Sequence, residues 1–355
     1  MPAASSVDRL RRALLLSGPL ALAAPLLGAC SAASGLTAAE RAAALGDRLA
    51  ARDRAGFLAL FAADAGAQSL AERVFAHLGG TGAVFSAPQP DRLQVRWNLP
   101  AEPAVVSLAV LSASGGLVAN LAPASTGTEW LDGPLLIDAT DEVVLAAATA
   151  VGSTRWLTAA RAGLDALRRV RPPALPLPAP LVVLVPGELT GFARYAGSGA
   201  EVTAAVSVVP GTADSAGVRV VVNPVAPTAP ETDAATITHE AVHAGMRSPR
   251  LTGTPGWLLE GIAEELTAQA HVDVAASNAT LAREAAERAL PGTLPDTADG
   301  DPASYALAQV AVAAMVQQVG WTAVLAEAEA RNAGAGTISD AQVLGWYHRA
   351  LARLR

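Results

Sequence analysis

Two hydrophobic periods alternate along this chain. After Thr37, a residue suited to capping a helix, "AAERAAALGDRLAARD" repeats apolar positions at helical spacing. "RAGFLALFA" predicts a second helix with Phe57, Leu60 and Phe61 on one face. From about residue 81 to 137 the period falls to two. "GAVFSA", "RLQVRWNL", "AVVSLAVLSA" and "EWLDGPLLID" are short alternating or β-branched runs separated by Gly and Pro. Helices followed by an antiparallel meander predict a small α+β domain over residues 37–137.

The pattern changes again near Asp138. "DEVVLAAATAVGSTRWLTAARAGLDALRRV" predicts a helical stretch, and "RPPALPLPAP", Arg171 to Pro180, a stiff loop within the same domain. "LVVLVP" from Leu181 reads as a continuous apolar strand, with "AAVSVVPG" and "GVRVVVNP" as two more. The last of these ends at Asn223-Pro224, where proline terminates ladder pairing, and is a candidate edge strand. Pro227 and Pro230 lead into a further helix. The expected class is therefore α+β. A mainly helical lobe with a small mixed sheet upstream spans 138–355, and the smaller α+β domain precedes it.

Composition adds a core and a compartment. With 355 residues, 52% of them hydrophobic, the chain can bury a sizeable interior in about two domains. Its formal net charge is −7, and all 25 basic residues are arginine without a clustered patch, which argues against nucleic acid as a partner. Residues 1–29 carry Arg9, Arg11 and Arg12 ahead of a short apolar run and read as a signal peptide. The run ends in "LGAC", Leu27 to Cys30, which resembles the lipobox of bacterial lipoproteins. That resemblance implies a lipid on Cys30, a tether over 30–36, and an extracytoplasmic protein anchored to a membrane of the cell envelope. Arg11 and Arg12 leave Sec and twin-arginine export both open. Cys30 is the only cysteine, so no disulfide supports the fold.

The candidate chemistry sits in "ITHEAVHAG", which holds two of the five histidines. His239 and His243 stand at i and i+4, so their rings leave one helix face a turn apart. That is the reach needed to bind one Zn²⁺ at roughly 2.0–2.1 Å. Glu240, about 100° further round the helix, points beside such an ion and can take a proton from water there. Downstream, "TPGWLLEGIAEEL" predicts a second helix, with Thr254 as its cap and Pro255 as its first residue. Trp257, Leu258, Ile262 and Leu266 give it an apolar face to pack on the first helix. Such packing holds the Glu260 carboxylate over the two histidines and leaves one coordination position open.

"HEAVH" followed by "WLLEG" resembles the gluzincin metallopeptidases, in particular the aminopeptidase N-like and peptidase MA-like groups. The resemblance implies a thermolysin-like zincin lobe. It implies His239, His243 and Glu260 as ligands of one zinc ion, and Glu240 as general base. At Glu264, one turn after Glu260, it implies a hydrogen bond to the outer nitrogen of the first histidine; the alternative is a solvated helix residue. Glu265 should point elsewhere. "SYALAQVAVAAMVQQVG" from Ser304 resembles the helix that follows a catalytic tyrosine in these families, which makes Tyr305 a candidate oxyanion donor. Ala306 to Gln309 depart from the family pattern there, and a core or capping role for Tyr305 stays open. Nothing resembles the aminopeptidase signature for a free amino terminus. "LGDRLAARDRAGFLALFAADA" resembles the first helices of nuclear-transport-factor-like (SnoaL-like) cone folds, which implies ligand binding or a spacer. His271 reads as a surface residue, and His77 and His348 carry no motif. The expectation is a lipid-anchored zinc metallopeptidase acting on peptides or proteins. The alternative is a surface lipoprotein that binds a small ligand or a protein partner and whose zinc lobe is inactive or structural.

Overall fold

The computed structural model describes residues 35–196, 203–212, 217–227, 229–288, 290–298 and 300–355. The expected signal peptide, Cys30 and most of the expected tether lie outside them. Among the described residues the chain is α+β, with ten α-helices and two sheets.

Helix α1 (Ala38–Ala50) starts where expected. Thr37 accepts from the Glu40 N–H while the Glu40 carboxylate accepts from the Thr37 N–H, closing a capping box. Helix α2 (Arg54–Leu58) is shorter than its pattern, but Phe57 and Phe61 still meet in the core with ring centroids 5.5 Å apart. Pattern analysis assigns no element to Ala65–Leu78, where the structure has α3, capped by Asp64. Strands β1 (Val84–Gln89), β2 (Arg92–Trp97), β3 (Val105–Ser114) and β4 (Leu117–Pro123) form the expected antiparallel meander in sequence order.

The second sheet runs β5-β6-β7-β9-β8 and corrects three expectations. "EWLDGPLLID" is a 3₁₀ turn, Glu129–Leu131, followed by β5 (Leu136–Ala139), which pairs with β6 and not with the meander. The expected helix after Asp138 begins with strand β6 (Val143–Ala147), and only then does α4 (Ala150–Val170) follow. All five β6 residues are buried, because β6 pairs in parallel with β7 (Leu181–Val185) and both its faces are covered. Finally, β9 (Arg219–Val222) is interior. The edge is β8 (Ala205–Val208), antiparallel to β9.

The five-stranded sheet separates two cores. Val143, Leu145, Val183 and Val220 face α4 and the C-terminal helices. Val144, Ala146, Val182 and Val221 face the meander, α1–α3 and α5 (Leu189–Ala196). The remaining helices are α6 (Pro230–Met246), α7 (Gly256–Ala270), α8 (Val272–Arg288), α9 (Pro302–Asn332, broken at Gly320 with φ 79°) and α10 (Asp340–Ala352). Backbones come very close at the helix crossings. A Cβ on Gly261 of α7 would lie 2.5 Å from the Ala308 carbonyl of α9, and one on Gly163 of α4 would lie 2.8 Å from the Ala234 carbonyl of α6.

One fully buried charge cluster ties the meander to this sheet. Arg219 donates from Nε and one terminal nitrogen to Glu102, both at 2.7 Å, and from the other to Glu129 at 3.0 Å. Tyr195 O–H also donates to Glu129, and the guanidinium lies 4.9 Å from the centre of the Trp97 ring. Burial works against the charged guanidinium, but Glu129 and Glu102 outweigh it and raise its pKa further.

Two outcomes follow from this packing. Gly261→Ala gains about 1 kcal/mol of helix propensity but must push α7 off α9, for a net loss of about 1–2 kcal/mol in urea unfolding. His77 is buried edge-on against Trp97 with Nδ1 at the Gly133 carbonyl. Burial lowers its pKa below the ordinary imidazole value, so the unfolded chain takes up the proton first as pH falls. The stability this gives is complete above about pH 6.5 and is lost as pH drops through the lower native pKa. Urea midpoints of wild type should therefore fall between pH 7 and 5 more steeply than those of His77→Gln.

Candidate metal centre

Helix α6 carries the site, and its neighbours fix it along its length. Asp233, in the first turn, receives a paired hydrogen bond from Arg155 of α4, both contacts at 2.6 Å. The same guanidinium donates to the Ala226 and Pro227 carbonyls just before the helix. Thr238 turns its hydroxyl back to the Ala234 carbonyl at 2.9 Å, beside Gly163 of α4. Ile237, Ala241 and Val242 are fully buried. The helix ends at Arg247, whose φ of 56° turns the chain sharply into Ser248. On α7, Trp257, Leu258, Ile262 and Leu266 all lie in the core they share with α6, as the pattern predicts.

This packing brings three ligand atoms together. His239 Nε2 and His243 Nε2 are 3.1 Å apart, and each is 3.2 Å from Glu260 Oε2. An ion bound tetrahedrally at roughly 2.0–2.1 Å spaces its ligands by about 3.3–3.4 Å, so the triangle suits one small cation. His239, His243 and Glu260 can thus hold a metal ion. The electrostatics favour positive charge at this point. Burial opposes the charged form of His239, yet hydrogen bonds to Glu260 and Glu264 outweigh it and raise its pKa well above normal. Burial likewise opposes the Glu260 carboxylate, yet His243 and His239 hold its pKa far below the usual range.

The outer nitrogen of each imidazole is also engaged. His239 Nδ1 lies 3.1 Å from Glu264 Oε1, so the structure brings Glu264 to the place the resemblance implied. Asn278 of α8 donates to Glu264 Oε2 at 2.8 Å and, with its second N–H, to Gln309 Oε1 of α9 at 2.9 Å. Gln309 in turn donates to Glu265 at 3.0 Å, so Glu265 points at α9 and away from the centre. His243 Nδ1 faces Ser248 Oγ at 3.0 Å. Sequence reasoning missed Asn278, Gln309 and Ser248, and no motif marks them. They are found only once α8, α9 and the turn after α6 are folded against the site.

Glu240 is buried and stands outside the ligand triangle. Its Oε2 accepts a 2.6 Å hydrogen bond from Ser207 Oγ of edge strand β8, another residue the sequence did not reveal. Tyr305 starts α9 with its ring centroid 6.4 Å from that of His239, and it lines the same clefts as His239 and Glu240. His271 is half-buried at the end of α7, with Nε2 2.8 Å from Thr238 Oγ1, and so it is not the plain surface residue expected. His77 and His348 belong to other parts of the fold; His348 Nε2 faces the Pro291 carbonyl. Two clefts meet at His239, Glu240, Tyr305 and Ala205. One, of about 600 Å³, extends past His243 and Ser248; the other, of about 820 Å³, extends past Ala235 towards the start of α6.

No protein-family model, curated protein or solved structure matches the chain. The chemistry is therefore read from the site's own geometry. Replacing Glu264 by Gln removes the negative partner that orients His239. Metal affinity, measured by chelator competition, should fall by about 10–100-fold while the fold persists.

Proposed function

We propose that the protein is a zinc-dependent peptidase. The observation that carries this reading is the placement of Glu240. Its carboxylate lies beside the His239, His243 and Glu260 triangle without joining it, and Ser207 fixes one of its oxygens. Two imidazoles and one carboxylate form the three-ligand set of a catalytic zinc site with an open position. When bound, zinc supplies Lewis acidity that activates water near neutral pH and polarises a carbonyl.

The chain's own groups do the rest. Glu240 takes a proton from the attacking water and delivers it to the leaving amine. Tyr305 donates its hydroxyl hydrogen to the oxyanion that forms from the substrate carbonyl. Edge strand β8 supports a peptide as the substrate class. Ala204 O accepts from Asn223 N, so the alternation of an antiparallel ladder turns the N–H and C=O groups of Val206 and Val208 towards β9. Those of Ala205 and Ser207 face outward, where an extended peptide can pair with them. In this proposal the enzyme is held at the outer face of a membrane by lipid on Cys30, a reading supported by "LGAC" alone.

Metal analysis and peptide cleavage on the soluble chain test the proposal together. Wild type should carry one zinc ion per chain and cleave peptides from a mixed library. Glu240→Gln should keep the metal and lose about 10²–10⁴-fold in rate. A wild type without stoichiometric metal, or a Glu240→Gln variant as active as wild type, would sink the reading.

A further inference from the structure

We infer that the substrate is an internal stretch of polypeptide, which makes the enzyme an endopeptidase whose substrate chain leaves the cleft at both ends. This rests on the peptidase reading above and concerns which bonds are reached.

The two clefts are halves of one trench. Both are walled by Ala205 of β8, by His239 and Glu240 of α6, and by Tyr305 of α9. From that shared wall the smaller cleft runs along the C-terminal end of α6, past Ser248, Pro249 and Leu259. The larger runs the other way, between α4 and the end of α7, past Ala162, Thr232 and Thr267. Both volumes lie within the range of ligand-binding clefts, about 300–1,000 Å³. The outward-facing peptide groups of Ala205 and Ser207 lie along the trench, about 6.8 Å apart. A bound strand is therefore held across the reacting centre, with room to continue in both directions.

The charge pattern points the same way. An exopeptidase must close one side of its cleft and pair the charge of a chain terminus, because an unpaired charge is costly to desolvate. Among the described residues that line the smaller cleft, the only ionisable side chains besides Tyr305 are those of the centre itself: His239, Glu240, His243 and Glu260. In the larger cleft Arg169, Glu231 and Asp273 are exposed and of mixed sign, with half-buried His271 among them. Glu264 also lines the larger cleft, but its carboxylate oxygens are engaged by His239 and Asn278. Among the described lining residues, neither side has a further buried charged group to receive an amino or carboxyl terminus.

The experiment uses zinc-loaded protein and octapeptide pools, either free-ended or acetylated and amidated at the ends. The expected result is cleavage of blocked peptides at internal bonds, at rates within about twofold of the free-ended pool, with at least two residues on each side of the cut. Ala162→Trp fills the larger cleft and Ala298→Trp the smaller. Each should weaken binding of a fluorescent blocked octapeptide by more than tenfold, read by anisotropy on the Glu240→Gln background so that turnover is not needed. Thr232→Trp and Leu259→Trp replace them if either protein misfolds. Cleavage confined to free-ended peptides within two residues of a terminus overturns the inference and leaves the peptidase standing. An effect from only one cleft does the same. If no peptide is cleaved and none binds the Glu240→Gln protein, the peptidase reading itself fails, and the inference falls with it.

Discussion

The site depends on how closely helix backbones can approach. His239 and His243 come from α6 and Glu260 from α7, and the three ligand atoms meet within 3.1–3.2 Å of one another. A shift of either helix by a fraction of an ångström would break that triangle. Residues with no side chain sit where α4 crosses α6, where the loop before β7 meets the end of α6, and where α7 crosses α9. A Cβ would lie 2.8 Å from the Ala234 carbonyl at Gly163, 2.4 Å from the Pro176 carbonyl at Gly245, and 2.5 Å from the Ala308 carbonyl at Gly261. Each is a backbone contact, and a backbone cannot move aside as a long side chain can. Ala241, Ala263, Ala308 and Ala311, all fully buried, serve the same end, because small side chains let α6, α7 and α9 pack at short range. Small alanine side chains are thus part of how this site is built.

Two clusters of buried charge show what separates structure from chemistry here. Around Arg219, carboxylates from Glu102 and Glu129 meet a fixed guanidinium, Trp97 stacks on it, and Tyr195 satisfies the remaining carboxylate oxygen. The chain supplies its own cation, and the cluster is complete. Around His239 there are also two carboxylates, Glu260 and Glu264, but their partners are imidazoles, which are not permanently charged. Positive charge at that point must be a proton or an ion. A centre whose ligand atoms converge and whose own groups carry no permanent positive charge is suited to a metal ion.

Local and helical signals were legible in the sequence. The Thr37 cap, the His239–His243 spacing and the Glu260 helix are set by residues within a turn or two of one another. Helical geometry placed Glu264 one turn after Glu260, but its contact with His239 was implied only by the family resemblance, with a solvated residue as the alternative. What escaped were contacts made by tertiary packing. Ser207 reaches Glu240 from a strand 33 residues away, and Asn278 reaches Glu264 from a separate helix. Strand β6 was read as helix because "VVLAA", buried on both faces, shows no alternation and runs straight into the helical pattern of α4. The choice of β9 as edge failed for a related reason. Only pairing partners distinguish an edge strand: β9 is paired on both sides, and its Arg219 is bound in the interior by Glu102 and Glu129.

That same arginine explains why the N-terminal part of the chain matters to the site. Strand β8 positions Ser207 over Glu240, but as an edge strand it is held by the ladder on one side only. Its other restraints come from the meander side. Val206 and Val208 pack against the core built by α1–α3 and the first sheet. Past β8, the Val209 carbonyl accepts from Thr126, Gly211 N–H donates to Thr126 Oγ1, and Thr212 N–H donates to the Val106 carbonyl at 2.7 Å. Gly211 sits so close to Val106 that a Cβ there would lie 2.2 Å from its carbonyl. Arg219 then fixes the return strand to Glu102 and Glu129. The β8–β9 pair is therefore held just past β8 and along β9 by residues far upstream. The N-terminal part of the chain acts as the buttress that sets the height of β8 above α6. That height fixes both the hydrogen bond to Glu240 and the width of the trench beside it.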